Sequence, residues 1–366
     1  MSVYLTMIFL TLLFSVFAME YSTVTGTDIK KRVPAKFFIF LILTVWCSIY
    51  ALRYYVGTDF GAYYYSFNRI LNDNVSFSSF IADQRDSLFA YIQFFTSSLS
   101  GGKWLVFSYL CAALTYIPVI IVISKKSTDF TASILLYIFT YGYFSGFNGT
   151  RQAIAVAFIF LAYYLGLKEK KYWLYAILVL VAFGFHSTVF IAVPFQLISM
   201  MSIKSKTFKI TVTVLLLSYL FLWNIWSIVI DFLESIGQDK LASDYADLGE
   251  NGSGLIRLIV NILPAVCGLL YKNTLKKNYP DVEGEIILLI IAAIFSLFSL
   301  KNWIFSRIAS YFGIIGVMFI PKLECIFSSN CKKMGRLLIL ILYFAYMCSL
   351  LLHGDGHLLP YKFIEF

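Results

Sequence analysis

The chain reads as an all-α, polytopic membrane helical bundle, and three observations carry that reading. Of its 366 residues, 60% are hydrophobic and only 13% are charged, with a mean hydropathy of +0.80. The apolar residues gather into about twelve runs of roughly helix-spanning length. The lysines collect in alternate connections between those runs. Lipid offers no partner to backbone N–H and C=O groups, so apolar runs of this length close their hydrogen bonds within helices.

In chain order the expected spans are 3–19, 37–52, 104–123, 130–147, 151–167, 172–185, 187–203, 210–230, 255–271, 284–300, 304–320 and 336–352. The first run has no Lys or Arg before it, and its basic cluster (Lys30, Lys31, Arg32, Lys36) follows it. A signal peptide has the opposite order, so the run reads as a retained span with its N-terminus outside, which puts the C-terminus outside as well. The stretch 172–203 is ambiguous. At 1.5 Å per residue it rises roughly 48 Å as helix, short of two full crossings, so it is either one long span or a hairpin. The hairpin keeps the charge pattern consistent and sinks His186 into an outer cavity.

With the connections assigned alternately to two sides, six of them (20–36, 124–129, 168–171, 202–209, 272–283 and 321–336) hold 19 of the 29 Lys and Arg, and only Arg32 and Arg336 among these are Arg. Lysine-rich connections mark the cytoplasmic face. The opposite side carries Arg53, Arg69, Arg85, Arg151, Arg257 and Arg307 together with all three His. Arginine's planar fork suits phosphate and carboxylate, which points to an anionic substrate on the outer surface. The net charge of +9 is mostly inner lysine, so nucleic acid is not the expected partner. Six Cys are scattered without CxxC spacing, implying neither a disulfide framework nor a zinc site.

The whole chain, 1–366, reads as a single integral membrane domain with two long outer loops. Residues 53–103 hold a Tyr-rich stretch and an amphipathic piece, Leu88–Leu99, suited to the interface. Residues 231–254 are acidic and glycine-bearing, either a lid or a solvated loop.

Several outward helix starts carry donors: Asn148-Gly149-Thr150-Arg151-Gln152, His186-Ser187-Thr188, Asn251 to Gly254 with Arg257, and Lys301-Asn302 with Ser306-Arg307. Free N–H groups, a close-approach glycine and an Arg make an anion site, although Asn, Ser and Thr are also ordinary helix caps. The expected diphosphate ligands are Arg151 and Arg307, helped by Arg53, Arg257 and Gln152. Asp59, in the turn Gly57-Thr58-Asp59, and His186 are the candidate bases for a sugar hydroxyl. Tyr63, Tyr311 and Arg85 are candidates for the glycan or lipid. His353-Gly354-Asp355-Gly356-His357 looks like a metal box, but its glycines argue against the helix that would align the two imidazoles; no metal or other cofactor is expected.

Arg53-x-x-Val56-Gly57-Thr58-Asp59 with Tyr63 to Phe67 resembles the first outer loop of EpsG-type, Wzy-like polysaccharide polymerases. Arg151-Gln152 opening a helix, Phe185-His186-Ser187, Arg307-x-x-x-Tyr311-Phe312 and Leu359-Pro360-Tyr361 follow in the same order. Asp86-Ser87 departs from the family's acidic-Pro pair, which puts the role of Asp86 in question. The resemblance implies a GT-C-like glycosyltransferase at the outer face of the bacterial plasma membrane. Such enzymes use undecaprenyl-diphosphate-linked oligosaccharide as donor and acceptor in capsule, exopolysaccharide or O-antigen assembly. A chain-length regulator is a further partner it suggests. An O-antigen ligase, a lipid-linked oligosaccharide flippase and a membrane acyltransferase are the rivals. A flippase needs charges lining both faces, whereas the distinctive residues here crowd one.

Overall fold

A computed structural model of the protein describes residues 1–24, 32–82, 86–221, 227, 231, 235, 252 and 254–364. It is an all-α membrane protein, and each of the apolar runs carries a helix. Two two-residue strands, β1 (Thr23–Val24) and β2 (Arg32–Val33), pair antiparallel between the first two helices. The helices fall into two compact units, Met1–Phe190 with Ile320–Phe366, and Ile191–Phe319.

The first unit begins with α1 (Ser2–Glu20) and α2 (Lys36–Ala51). The outer connection 53–103 then holds three helices: α3 (Phe60–Asn72), α4 (Phe77–Ala82) and α5 (Ser87–Ser100). The amphipathic piece expected at Leu88–Leu99 is α5, which ends at Gly101 in the left-handed region (φ +63°) that glycine tolerates. There follow α6 (Trp104–Lys126), α7 (Phe130–Phe139), the short α8 (Gly142–Ser145), α9 (Thr150–Leu161) and its π-helical continuation Ala162–Leu167, then α10 (Tyr172–Phe185). Lys125 and Lys126 close α6 where the helix dipole is negative. Asp129 caps α7 by accepting from the Ala132 N–H at 3.0 Å.

The core of this unit is aromatic. Trp46 stacks on Tyr137 and meets Tyr116 and Tyr143 edge-on, with ring centroids 5.5–5.7 Å apart. Three of the polar tips are satisfied within the cluster: the Trp46 indole donates to Thr11 Oγ1 at 3.0 Å, Tyr143 to the Trp46 carbonyl and Tyr116 to the Tyr143 carbonyl. Buried aromatics bring large apolar area together with one hydrogen bond each, which suits a core without water.

The second unit contains α11 (Val189–Ile198) from Ile191 onward, then α12 (Lys206–Leu220), α13 (Leu255–Leu270), α14 (Lys272–Asn278), α15 (Glu283–Phe298), α16 (Ile304–Gly313) and α17 (Gly316–Phe319). α13 and α16 both pack on α15, with Phe295 stacked on Phe312 at 5.9 Å. Glu283 ties the unit's lysine-rich end together. It accepts from the Ser202 hydroxyl and the Ile203 N–H, and pairs with Lys272 and Lys276. The chain returns to the first unit through a 3₁₀ segment, Ile320–Ile326, and α18 (Lys332–Leu352).

Five helices among the described residues are long and apolar enough to cross a membrane, or six if the bent pair α13–α14 is one span. Four more apolar helices, α2, α7, α10 and α11, are shorter. In the ambiguous stretch the helix breaks: α10 ends at Phe185, His186 is extended, and α11 starts at Val189. One continuous helix over 172–203 is therefore not formed. Of the acidic loop 231–254, only residues 231, 235, 252 and 254 are described.

Candidate functional site

Three distant stretches of sequence meet at the start of α9. The turn Gly57-Thr58-Asp59 is fastened there by Asn148, whose Oδ1 accepts from the Thr58 N–H at 2.7 Å and from the Thr58 hydroxyl at 3.2 Å. Gly57 has φ +96°, and a Cβ there would collide with the Phe147 carbonyl, so this position needs glycine. The Gly57 N–H donates to the His357 carbonyl at 3.1 Å, and Tyr141 donates to the Asp355 carbonyl. The His353–His357 segment thus serves the turn through its backbone. No group of three or more His, Cys, Asp or Glu among the described residues is arranged to hold a metal.

The C-terminal tail seals the same end. Tyr54 and Ile364 exchange backbone hydrogen bonds with Lys362 and Leu52, and Tyr361 donates to the Ile49 carbonyl at 2.6 Å. Tyr4 of α1 donates to the Leu358 carbonyl.

Arg151 stands in the first turn of α9 with its side chain 37% exposed. Its Nη1 pairs with Asp86 Oδ2 at 2.8 Å, and Asp86 itself is 5% exposed. The other Asp86 oxygen accepts from the Ser187 N–H at 3.2 Å, beside the helix break at His186. Tyr63 is hydrogen-bonded to Arg151, and Asp59 is close enough for its charge to act on the guanidinium. Burial pushes the Tyr63 phenol above its ordinary range, against a smaller lowering by Arg151, so the hydroxyl is neutral at physiological pH. Arg151, Asp86, Tyr63, Asp59 and the His186 turn therefore form one polar cluster inside the first unit.

The remaining candidates are placed as follows. Gln152 follows Arg151 and is 8% exposed. Arg53 is 2% exposed, donating to the Tyr50 carbonyl at 2.8 Å with its guanidinium 3.7 Å above the Tyr50 ring. It makes no ion pair with Asp59, whose Oδ1 instead accepts from Thr58. Arg257, half-buried, lies in the first turn of α13. Arg307, half-buried in α16, lies over the Trp303 ring at 4.6 Å, and Tyr311 is buried one turn later. These three belong to the second unit. Arg85 lies outside the described residues.

Asp86 is the member of the cluster whose role sequence reasoning left open. Its one signal was position: it replaces an acidic-Pro pair at the head of an amphipathic helix. Asn148, which sets the turn, was visible only as a helix-start residue.

Fold and site together describe a multi-pass α-helical membrane protein with an arginine-centred polar cluster at the ends of its helices. The EpsG family model matches residues 36–363. The chain belongs to the EpsG family, which supports a polysaccharide-polymerase type of role in general. No curated protein and no solved structure is similar enough to match.

Proposed function

We propose that the protein polymerises undecaprenyl-diphosphate-linked oligosaccharide repeat units at the outer face of the bacterial plasma membrane. The growing glycan passes from one lipid diphosphate to a sugar hydroxyl of the next lipid-linked unit. In this reading the chain is a GT-C-like glycosyltransferase of about twelve spans, with the short helices seated among the long ones and both termini outside.

The observation that carries the reading is the setting of Arg151. A guanidinium has five N–H donors, and Asp86 engages one edge of this one. The exposed remainder, at a helix N-terminus, is oriented to meet the charge that grows on the diphosphate as the glycosidic bond breaks. Asp86 has both oxygens occupied, so its part is to position Arg151 against the Ser187 amide. Arg307, Arg257, Gln152 and Arg53 are the further cationic and polar candidates for the diphosphate. Deprotonation of the acceptor hydroxyl falls to His186 or Asp59. Tyr63, Tyr311 and Arg85 are assigned to the sugars or the lipid, and no cofactor is required where arginines carry the charge.

The test is the surface glycan profile of a deletion strain complemented with wild type or Arg151→Ala. Single repeat units that reach their acceptor without long chains mean polymerase. Loss of all surface repeat units, with lipid-linked units accumulating, means ligase or flippase and overturns the proposal.

A further inference from the structure

Arg53 carries a charge that nothing described so far balances. Its side chain is 2% exposed, and it pairs with no described carboxylate. One terminal nitrogen donates to the Tyr50 carbonyl, and the rings of Tyr50 and Phe147 lie 3.7 and 4.6 Å from the guanidinium carbon. The Nε–H has no hydrogen-bond partner. Two further polar atoms nearby share that condition: the indole N–H of Trp104, 7% exposed, and the hydroxyl of Ser108, 2% exposed.

All three side chains line one cavity of about 10 Å³, which Tyr50, Tyr63 and Thr150 also border. That is room for a single occupant of about the size of a water molecule. Two of the three orphan groups, the Arg53 Nε–H and the Trp104 Nε1–H, can only donate, and the Ser108 hydroxyl can donate as well. The cavity wall has one cation and no carboxylate. Trp104 opens α6 and Thr150 opens α9, so two positive helix ends lie beside it. A water molecule can meet all three groups, accepting from Arg53 and Trp104 and donating to Ser108, but it leaves the guanidinium charge as it was. A monatomic anion would take up the donors and offset the buried charge as well.

We infer that this cavity binds a single small monovalent anion, chloride being the one physiological solution supplies. The ion joins the end of α2, the start of α6 and the inner side of α3. It thereby holds Tyr63, which bonds Arg151, and Thr150, whose hydroxyl lies 2.8 Å from that of Tyr50. The inference concerns anion binding by the folded protein; it commits Arg53 to this ion, which removes Arg53 from the diphosphate candidates and leaves the role of Arg151 as proposed.

The experiment compares thermal unfolding midpoints of the full-length protein in detergent with sodium chloride, sodium bromide or sodium gluconate, at equal ionic strength and pH. The wild type is expected to show a saturable rise with either halide over gluconate. Ser108→Ala and Trp104→Phe, which each delete one donor, are expected to abolish or sharply weaken it. Crystals grown in bromide should give an anomalous peak between Arg53, Trp104 and Ser108. Equal midpoints in all three salts overturn the inference. So does a halide effect that survives in both variants, or a bromide crystal with water density and no anomalous signal in the cavity. If neither variant folds, the wild-type bromide crystal decides alone.

Discussion

The two ends of the first unit treat charge in opposite ways. At the Lys126 end, where lysines are in excess, the carboxylates Asp129, Glu169 and Glu324 are each held in ion pairs. Glu169 takes both Lys126 and Lys171, and Arg336 joins Asp129 to Glu324. At the Trp104 end, two arginines keep donors that no carboxylate takes up. Arg53 rests among aromatic faces, and Arg151 shares its one ion-paired carboxylate, Asp86, with a backbone amide. Mutually saturated pairs add little stability at a surface and leave no capacity for a ligand. An arginine oriented by a single carboxylate keeps most of its donors for an anion. In the function proposed above, the first end faces the cytoplasm and the second receives the diphosphate.

The largest expected effect is at Arg151. Arg151→Lys keeps the charge and loses the fork, and polymer should fall on the order of 100-fold at unchanged membrane level, the scale of removing one transition-state donor. Arg307→Lys is expected to lose polymer severely too, and wild-type polymer from both variants would remove the diphosphate role.

Asp86→Asn comes next. It preserves shape and removes the charge that holds Arg151, for an expected loss of about tenfold, or roughly 1.4 kcal/mol of charge-assisted bonding. A pH–rate profile separates roles here: a positioning Asp86 lowers the rate without moving the profile, whereas a base removes its acidic limb.

Tyr63→Phe deletes one hydroxyl and keeps the ring packed on Phe89. The hydroxyl's bond to the partly exposed guanidinium, at about 1 kcal/mol, corresponds to a roughly fivefold loss in initial polymerisation rate. A loss as large as that of Arg151→Lys would place Tyr63 itself on the reacting groups.

The smallest effect belongs to the other end. Glu169→Gln should leave polymer length and amount at wild-type values. Lys126 and then Lys171 hold the Glu169 carboxyl down to about 2. Because the folded value is depressed, its contribution is complete above about 4.5 and fades as pH falls from there toward about 2. It is therefore constant across the neutral range. Strong loss of polymer in Glu169→Gln would erase the distinction between the two ends.

Much of this organisation was readable in the residues. The apolar runs 3–19 and 104–123 became α1 and α6 almost residue for residue, because a long apolar run in lipid has no alternative to a helix. The break at His186 followed from a run too short for two crossings and too long for one. Arg151 stood out as an arginine at a helix start on the side poorer in lysine. Asp86 did not: its partners Arg151 and Ser187 lie far along the chain, and no local pattern encodes such a pairing. The short helices α7 and α11 were likewise drawn too long, since apolar composition marks where a chain is dry without marking where its helix stops.

The residues alone carried the local physics: helices from apolar runs, the sorting of lysine from arginine among alternate connections, and a turn at Gly57-Thr58-Asp59. The family also rests there, on ordered short motifs. Only the tertiary structure decided which charges share a site. It brought Asp86 to Arg151, set Asn148 between the Gly57 turn and α9, and buried Arg53 with Trp104 and Ser108 around a single cavity. Helix formation depends on neighbours three or four residues apart, whereas the electrostatics of a site depends on atoms a few ångströms apart in space, whatever their separation along the chain.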